Sequence, residues 1–259
     1  MNVLADKRIL VLGADAIGRG IALRFAREGA SVAVLDGELA AAQSTADAIG
    51  AAGGRAFAGI APWDASVGAA VQRAVTQLGG LQVLVLNVLP TPVVAPFEAH
   101  PAEAFGMAFA RVQAAAAAMQ AALPHLRASG GGRIINVGHR YGEGVNEGIA
   151  AYNAAAWSLV GLTRTAAVDW GQYQIATNML LPLADTPEFR DCHARRAKVL
   201  DLMIGQLPLA RLGDPEEDIG AAALFLASDA STFVNGEILH GDGGQHIAGP
   251  VLNISKFAN

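Results

Sequence analysis

A doubly wound parallel α/β sheet with helices on both faces is the fold this sequence predicts, and three observations predict it. Short runs that are apolar at nearly every position recur along the 259 residues, and strands without polar alternation belong to sheets covered on both sides. Segments of helical period separate these runs, an alternation that demands crossover connections and parallel pairing. The first run also leads through glycines straight into a helix, the opening of a βαβ unit. At 53% hydrophobic and 16% charged residues the chain can fill one sizeable core, and α/β folds often reach about 250 residues undivided. A single domain over residues 1–259 is therefore expected.

Residues 8–12 form the first strand and 17–28 the first helix, whose Ile21, Leu23, Phe25 and Ala26 suit packing on a sheet. The second strand is 31–35. An alanine-rich helix at 38–52 ends at Gly53-Gly54, and 55–59 is a weaker strand. A helix at 64–78, a buried strand at 82–86 and a long helix around 103–127 come next, then a strand at 133–137, a helix at 150–170 and a strand at 174–181. A helix at 215–227 and a strand at 236–240 bring the count to about seven strands. Residues 182–209 break the alternation with a polar, proline-bearing insertion holding one helical stretch, 189–204. Ligands of open α/β sheets sit outside the carboxyl ends of the strands, so an insertion leaving a strand there suits a substrate lid. Its Phe189, Leu200, Leu202, Met203 and Ile204 offer an apolar lining. A surface helix of no consequence is the competing reading.

Charge and cysteine usage exclude several classes. The 18 basic residues are 15 arginines and only three lysines, Lys7, Lys198 and Lys256, and the net charge is -5. With a pI near 5.6, no basic field is available for a nucleic-acid backbone or an anionic membrane. Cys192 stands alone, so no disulfide framework and no cysteine-based zinc site is expected, which fits a cytoplasmic protein. The run at 9–12 is far too brief for a secretory segment. Other apolar stretches are cut by Pro90, Pro92 and Pro96, or by Gln113 and Gln120, before reaching the roughly 18 to 20 residues of a membrane span. Asp191, Cys192 and His193 carry metal-binding atoms, but neighbours on a helix point apart and no second cluster lies at ligand spacing, so no metal is expected.

Gly13, Gly18 and Gly20 follow the first strand and lead a helix. Glycine there lets the backbone approach a pyrophosphate, and the helix N-terminus supplies N–H groups and a positive dipole. Asp36 ends the second strand 23 residues after Gly13, where an acid accepts hydrogen bonds from an adenosine ribose and repels a 2'-phosphate, favouring NAD over NADP. A structural reading stands beside this one. Gly13 and Gly18 can serve a tight turn and close helix packing alone, and Asp36 can cap the helix at 38.

Taken over essentially the whole chain, the sequence resembles the classical short-chain dehydrogenase/reductase family, whose fold is the Rossmann-type sheet predicted above. The stretch from Arg211-Leu-Gly-Asp-Pro-Glu-Glu through Phe225-Leu-Ala-Ser-Asp to Asn235-Gly-Glu and Asp242-Gly-Gly is similar to the family's C-terminal signature. Gly132-Arg-Ile-Ile-Asn-Val and Gly161-Leu-Thr-Arg match family segments as well. The resemblance implies that Asp64 contacts the adenine ring, and that Ile17, Asn87 and Thr186 lie along the dinucleotide. The functional loops depart from the pattern. TGxxxGxG appears as Leu12-Gly13-Ala-Asp-Ala-Ile17-Gly18, one residue short and with Ala16 at the middle glycine. NNAG appears as Leu86-Asn87-Val88-Leu89, and the turn after strand six, Pro182-Leu183-Ala-Asp-Thr186, is again one residue short.

In the family an Asn-Ser-Tyr-Lys tetrad moves the proton that accompanies hydride transfer. The resemblance places Tyr152 at the tyrosine, Ala156 at the lysine, His139 at the serine and, when the long helix is aligned on Pro124, Arg111 at the asparagine. An unperturbed tyrosine has a pKa near 10, so about one in a thousand is phenolate at pH 7, a poor base though a usable acid. Imidazole is a competent base at neutral pH, so His139 can take over, with Arg111 or Arg140 supplying charge. A solvated loop histidine replacing an unneeded serine is the competing account. In the family the helices carrying Ala114–Ala118 and Tyr152 also form a dimer contact, so the small-residue face of the former suits a homo- or hetero-oligomer, dimer or tetramer.

Three functions of different classes follow. The first is an NAD(H)-dependent oxidoreductase acting on a small alcohol or ketone through Tyr152 and His139. The second is a redox-independent lyase or dehalogenase on the same scaffold. The third, which best explains simultaneous loss of glycines, serine and lysine, is a catalytically impaired subunit pairing with an active paralogue, its NAD binding weakened or lost.

Overall fold

The computed structural model describes residues 2–138, 147–193 and 197–247. Seven strands make one parallel sheet: β1 (Arg8–Leu12), β2 (Ser31–Asp36), β3 (Arg55–Ile60), β4 (Val83–Leu86), β5 (Gly132–Val137), β6 (Ile175–Pro182) and β7 (Ile238–Gly241). Their spatial order is β3-β2-β1-β4-β5-β6-β7. Every ladder is parallel, with Leu10 beside Ala33 on one flank and Leu84 on the other. The sheet is the predicted one.

Side chains alternate across each strand, so the two faces have separate cores. Ile9 and Val11 pack with Ile21 and Phe25 of α1 (Ala16–Arg27), Ile49 of α2 (Leu39–Ala51) and Leu226 of α8 (Gly220–Ala227). Leu10 and Leu12 face the other way, onto Val71 and Val75 of α3 (Val67–Leu78), Ala118 of α4 (Ala102–Ala128) and Leu159 of α5 (Ala150–Trp170). Burying Phe25 alone is worth about 1.5 to 3 kcal/mol on a transfer scale. The alanine run of α4 serves this core: Ala114, Ala115, Ala118 and Ala122 are fully buried within the chain itself, leaving Ala116, Ala117 and Ala121 partly exposed. A buried relay ties α5 to the sheet. Asn136 Nδ2 on β5 donates to Thr163 Oγ1 at 2.8 Å, and that hydroxyl donates to the Leu159 carbonyl at 2.8 Å.

Most bounds fall within one or two residues of the sequence expectation, and three elements depart further, each for a local reason. The helix expected from 64 begins at Val67, because Asp64 Oδ1 accepts both the backbone N–H and the hydroxyl of Ser66 in a turn. The helix expected at 215–227 opens as a wide π turn over Pro215–Ile219, capped by Asp214, which accepts from Glu216 N and Glu217 N. In the insertion, helical structure runs as α6 (Pro187–His193) and α7 (Ala197–Gly205) in place of one stretch at 189–204. Phe189 N donates to Thr186 Oγ1, which fixes where α6 begins. Leu202 is exposed, while Leu200, Met203 and Ile204 gather with Phe189 around a small apolar recess. No helix among the described residues is long and apolar enough to cross a membrane.

The turn before α8 clamps α1. Glu217 receives two hydrogen bonds from Arg27, at 2.7 and 2.9 Å, and a Cβ on Gly20 would stand 2.4 Å from the Pro215 carbonyl carbon. Arg211 forks onto both oxygens of Asp218, at 2.6 and 2.8 Å, while Asp214 N donates to Asp218 at 2.6 Å. These bonds hold the Asp218 carboxyl down at about 2, from an ordinary 3.8. Because the folded value is depressed, the stability it confers is complete above 3.8 and is lost as pH falls toward 2. Asp218→Asn should therefore lower the melting temperature at neutral pH, and the gap to the native chain should close over that acid window in thermal melts. At the other end of α1, a Cβ on Gly18 would lie 1.9 Å from the Gly13 carbonyl oxygen. Gly18→Ala should cost at least about 1 to 3 kcal/mol in urea unfolding, with or without nucleotide present.

Candidate functional site

The strand order reverses between β1 and β4, and open α/β sheets bind ligands in the crevice at that point. A cavity of about 190 Å³ lies there, at the carboxyl ends of the strands. Its floor comes from Asp15 and Ile17 after β1, Asn87 and Leu89 after β4, and Val137 and Gly138 of β5 and its exit. Tyr152, Leu183, Thr186, Glu188 and Phe189 close it from α5 and the insertion. The volume is below the roughly 300 to 1,000 Å³ usual for small-molecule pockets.

Tyr152 stands in the first turn of α5, buried against Ile149, Ala156 and Leu89. Ala156, one turn later, is fully buried in the same apolar cluster. A methyl group therefore fills the position that the resemblance assigns to a lysine. Among the described residues lining the cavity there is no lysine, arginine or histidine; the ionisable ones are Asp15, Tyr152 and Glu188. His139 and Arg140 lie outside the described residues, as do the side chains of Cys192 and His193.

The loop after β1 is held by carboxylates of the chain itself. Asp15 caps α1: its Oδ1 accepts from Ile17 N at 2.9 Å, Gly18 N at 3.0 Å and Asn87 Nδ2 at 2.6 Å. Its side chain reaches solvent through the cavity yet is crowded by protein on every other side. That crowding pushes its carboxyl above the ordinary carboxylate range, with the charge of Glu188 adding to the rise and the three donors opposing it. Gly13, at φ +103, presses on Asn87 so closely that a Cβ would meet the Asn87 carbonyl oxygen at 2.0 Å. Gly13 and Gly18 are thus required by backbone packing.

Asp36 binds on both oxygens, accepting from Ala14 N at 2.7 Å and Glu38 N at 2.9 Å. Asp36 anchors the loop but does not cap α2, whose N-cap Glu38 has no side-chain cap bond; the Asp36 bond to Glu38 N closes a turn before the helix, and each oxygen retains acceptor capacity. Beside it, Trp63 covers Gly37, where a Cβ would lie 2.2 Å from the indole nitrogen. Arg111 stacks on that indole with its guanidinium carbon 4.0 Å from the ring. Burial pushes the guanidinium pKa down, and the nearby Asp36 charge opposes the fall. Arg111 thus stands with Asp36 and Trp63 and does not line the cavity with Tyr152, while His139, the third residue of the expected trio, lies outside the described residues. Asp64 is spent on its own turn with Ser66, which lowers its carboxyl pKa. Ile17, Asn87 and Thr186 do reach the cavity with Tyr152.

Sequence reasoning passed over Asp15, Trp63 and Glu188. Asp15 carried a readable signal, an N-cap residue directly before an amphipathic helix. Trp63 and Glu188 carried none, since their placement depends on how two distant loops fold back over the strand ends.

Among the described residues no group of three or more His, Cys, Asp or Glu is placed to hold a metal ion. The residues present do not fit a dinucleotide as they stand, because two N–H groups of this helix N-terminus, those of Ile17 and Gly18, already donate to Asp15, and its carboxyl would have to be displaced.

Comparison with known proteins agrees with this architecture. A family profile described as enoyl-(acyl carrier protein) reductase, a short-chain dehydrogenase class, matches residues 11–246. The cis-4-hydroxycyclohexanecarboxylate dehydrogenase of Sinomonas cyclohexanicum is 35% identical over 254 residues, covering 94% of this chain and 98% of its own. The (3R)-3-hydroxyacyl-CoA dehydrogenase of Canis lupus familiaris is 33% identical over 256 residues, covering 92% and 95%. A crystal structure named as a candidate NAD(P)-dependent gluconate 5-dehydrogenase from Beutenbergia cavernae, with NADP bound at low occupancy, superposes with a TM-score of 0.86 at 30% identity, covering 95% of this chain and 98% of that one. With its seven-stranded sheet, its tyrosine at the strand ends and these relatives, the chain belongs to the short-chain dehydrogenase/reductase family of oxidoreductases.

Proposed function

We propose that this chain serves NAD-dependent oxidoreduction of a small alcohol or ketone in the cytoplasm as a catalytically impaired subunit, pairing with an active member of its own family. The observation that carries this reading is Ala156, buried beside Tyr152 in a cavity whose described lining holds no basic side chain. Proton transfer at a substrate oxygen needs a group that gives or takes a proton near neutral pH. An unperturbed phenol is a weak base near neutral pH, and the two carboxylates that line the cavity with Tyr152 do not favour a phenolate. The relatives named as dehydrogenases, and the neighbour with bound NADP, support nicotinamide chemistry for the assembly. Asp36 at the end of β2 favours NAD, since an acid there repels a 2'-phosphate.

Pairing is supported by the outer surfaces of α4 and α5. Met107, Phe109, Trp157 and Val168 are large, apolar and exposed there, and large apolar groups left to water suit burial against a partner.

The purified lone chain should show no NADH- or NADPH-dependent turnover across a panel of alcohols and ketones. Co-expressed with active family members from the same organism, it should form a stable heteromer by size exclusion with light scattering. Turnover by the lone chain that Tyr152→Phe abolishes would overturn this reading in favour of an autonomous enzyme.

A further inference from the structure

The loop between β1 and α1 is built to hold an anion, and the chain supplies that anion itself. A helix N-terminus with free N–H groups and a positive dipole end is an anion site, and in βαβ nucleotide sites the anion is a phosphate. Here three of the loop donors, at Ala14, Ile17 and Gly18, are accepted by side-chain carboxylates, Asp36 for the first and Asp15 for the other two. Asn87 adds a fourth donor to Asp15 Oδ1, at 2.6 Å. Asn87 is itself fixed, its backbone N–H donating to the Leu12 carbonyl at 2.8 Å and its carbonyl pressed on Gly13. The cradle is therefore rigid, and its occupant is Asp15.

We propose that Asp15 is a built-in replacement for the dinucleotide pyrophosphate and sets the loop's specificity against phosphate-bearing ligands. This deepens the functional reading above, on which it rests, by naming the residue that closes the cofactor side of the cavity. An arriving diphosphate must displace Oδ1 from three donors and must approach two carboxylates, Asp15 and Glu188, with no described basic side chain in the cavity to offset them. A diphosphate would make charge-assisted bonds of the same kind, but it loses translational and rotational freedom on binding, whereas Asp15 and its donors belong to one chain, so the resident carboxylate is favoured over the visitor.

The test compares the full-length native chain with Asp15→Ser and Asp15→Asn. Serine and asparagine both cap helices well, so α1 should survive in each, and thermal melts confirm the fold of whichever variant is assayed. Serine removes both the charge and the bulk, while asparagine removes the charge and keeps the size. ADP binding is read by calorimetry and NADH binding by nicotinamide fluorescence. Asp15→Ser should bind both at least about tenfold more tightly than the native chain, the worth of one charge-assisted hydrogen bond. Asp15→Asn should fall between the two. Native affinity equal to that of Asp15→Ser, or no gain in either folded variant, would overturn the proposal. Native binding of NADH without turnover would also overturn it while leaving the impaired-subunit reading intact. Native turnover would end both.

Discussion

The structure turns on the meeting of three backbone segments at the ends of β1 and β4. Gly13 lies against Asn87 at a distance that excludes any Cβ, and Gly18 lies as closely against Gly13. This contact sets where α1 begins, aims its N-terminus into the crevice, and fixes the Asn87 amide beside it. The Asp15 carboxylate is then the group that satisfies what the contact leaves open. Its three donors are held by sheet and helix together, so the loop geometry, the cap and the cavity floor form one unit.

The charge of that unit governs what the site does. Nucleotide sites of this topology pair backbone N–H groups with an incoming phosphate. In this chain the negative partner is covalently present, and Glu188 from α6 brings a second carboxyl to the same cavity. On the far side of β2, Asp36, Trp63 and Arg111 form a separate group in which the guanidinium is committed to the indole face and the neighbouring acid. Arg111 therefore does not balance the cavity, which is small and has an acidic described lining.

The fold was legible because its signals are additive. The boundaries 8–12 and 150–170 agree with β1 and α5 residue for residue, since an apolar five-residue run and a long uninterrupted helical period admit few alternatives. Helix starts were legible only where a cap is local: the start of α3 shifts to Val67 because the Asp64 side chain outcompetes the helix for Ser66. The site was legible in part. The family resemblance pointed to Ile17, Asn87, Tyr152 and Thr186, and the structure puts all four on the cavity. Arg111 shows the limit of such alignment, for a long side chain follows its nearest aromatic face and acid, which are set by how the β3–α3 turn folds and not by position along α4.

The scarcity of lysine acquires a spatial meaning in this light. Lys7 precedes β1 and pairs with Asp229 at 3.5 Å, at the amino ends of the strands. The cavity lies at their carboxyl ends, and β1, five residues long, spans roughly 16 Å at about 3.3 Å per residue. An ammonium at one end of a strand that long is screened from a tyrosine at the other. Lys7 is therefore not placed to lower the Tyr152 pKa. The regular sheet and the clamp of Glu217 on Arg27 hold α1 in place, and with it the Asp15 carboxyl at the mouth of the crevice.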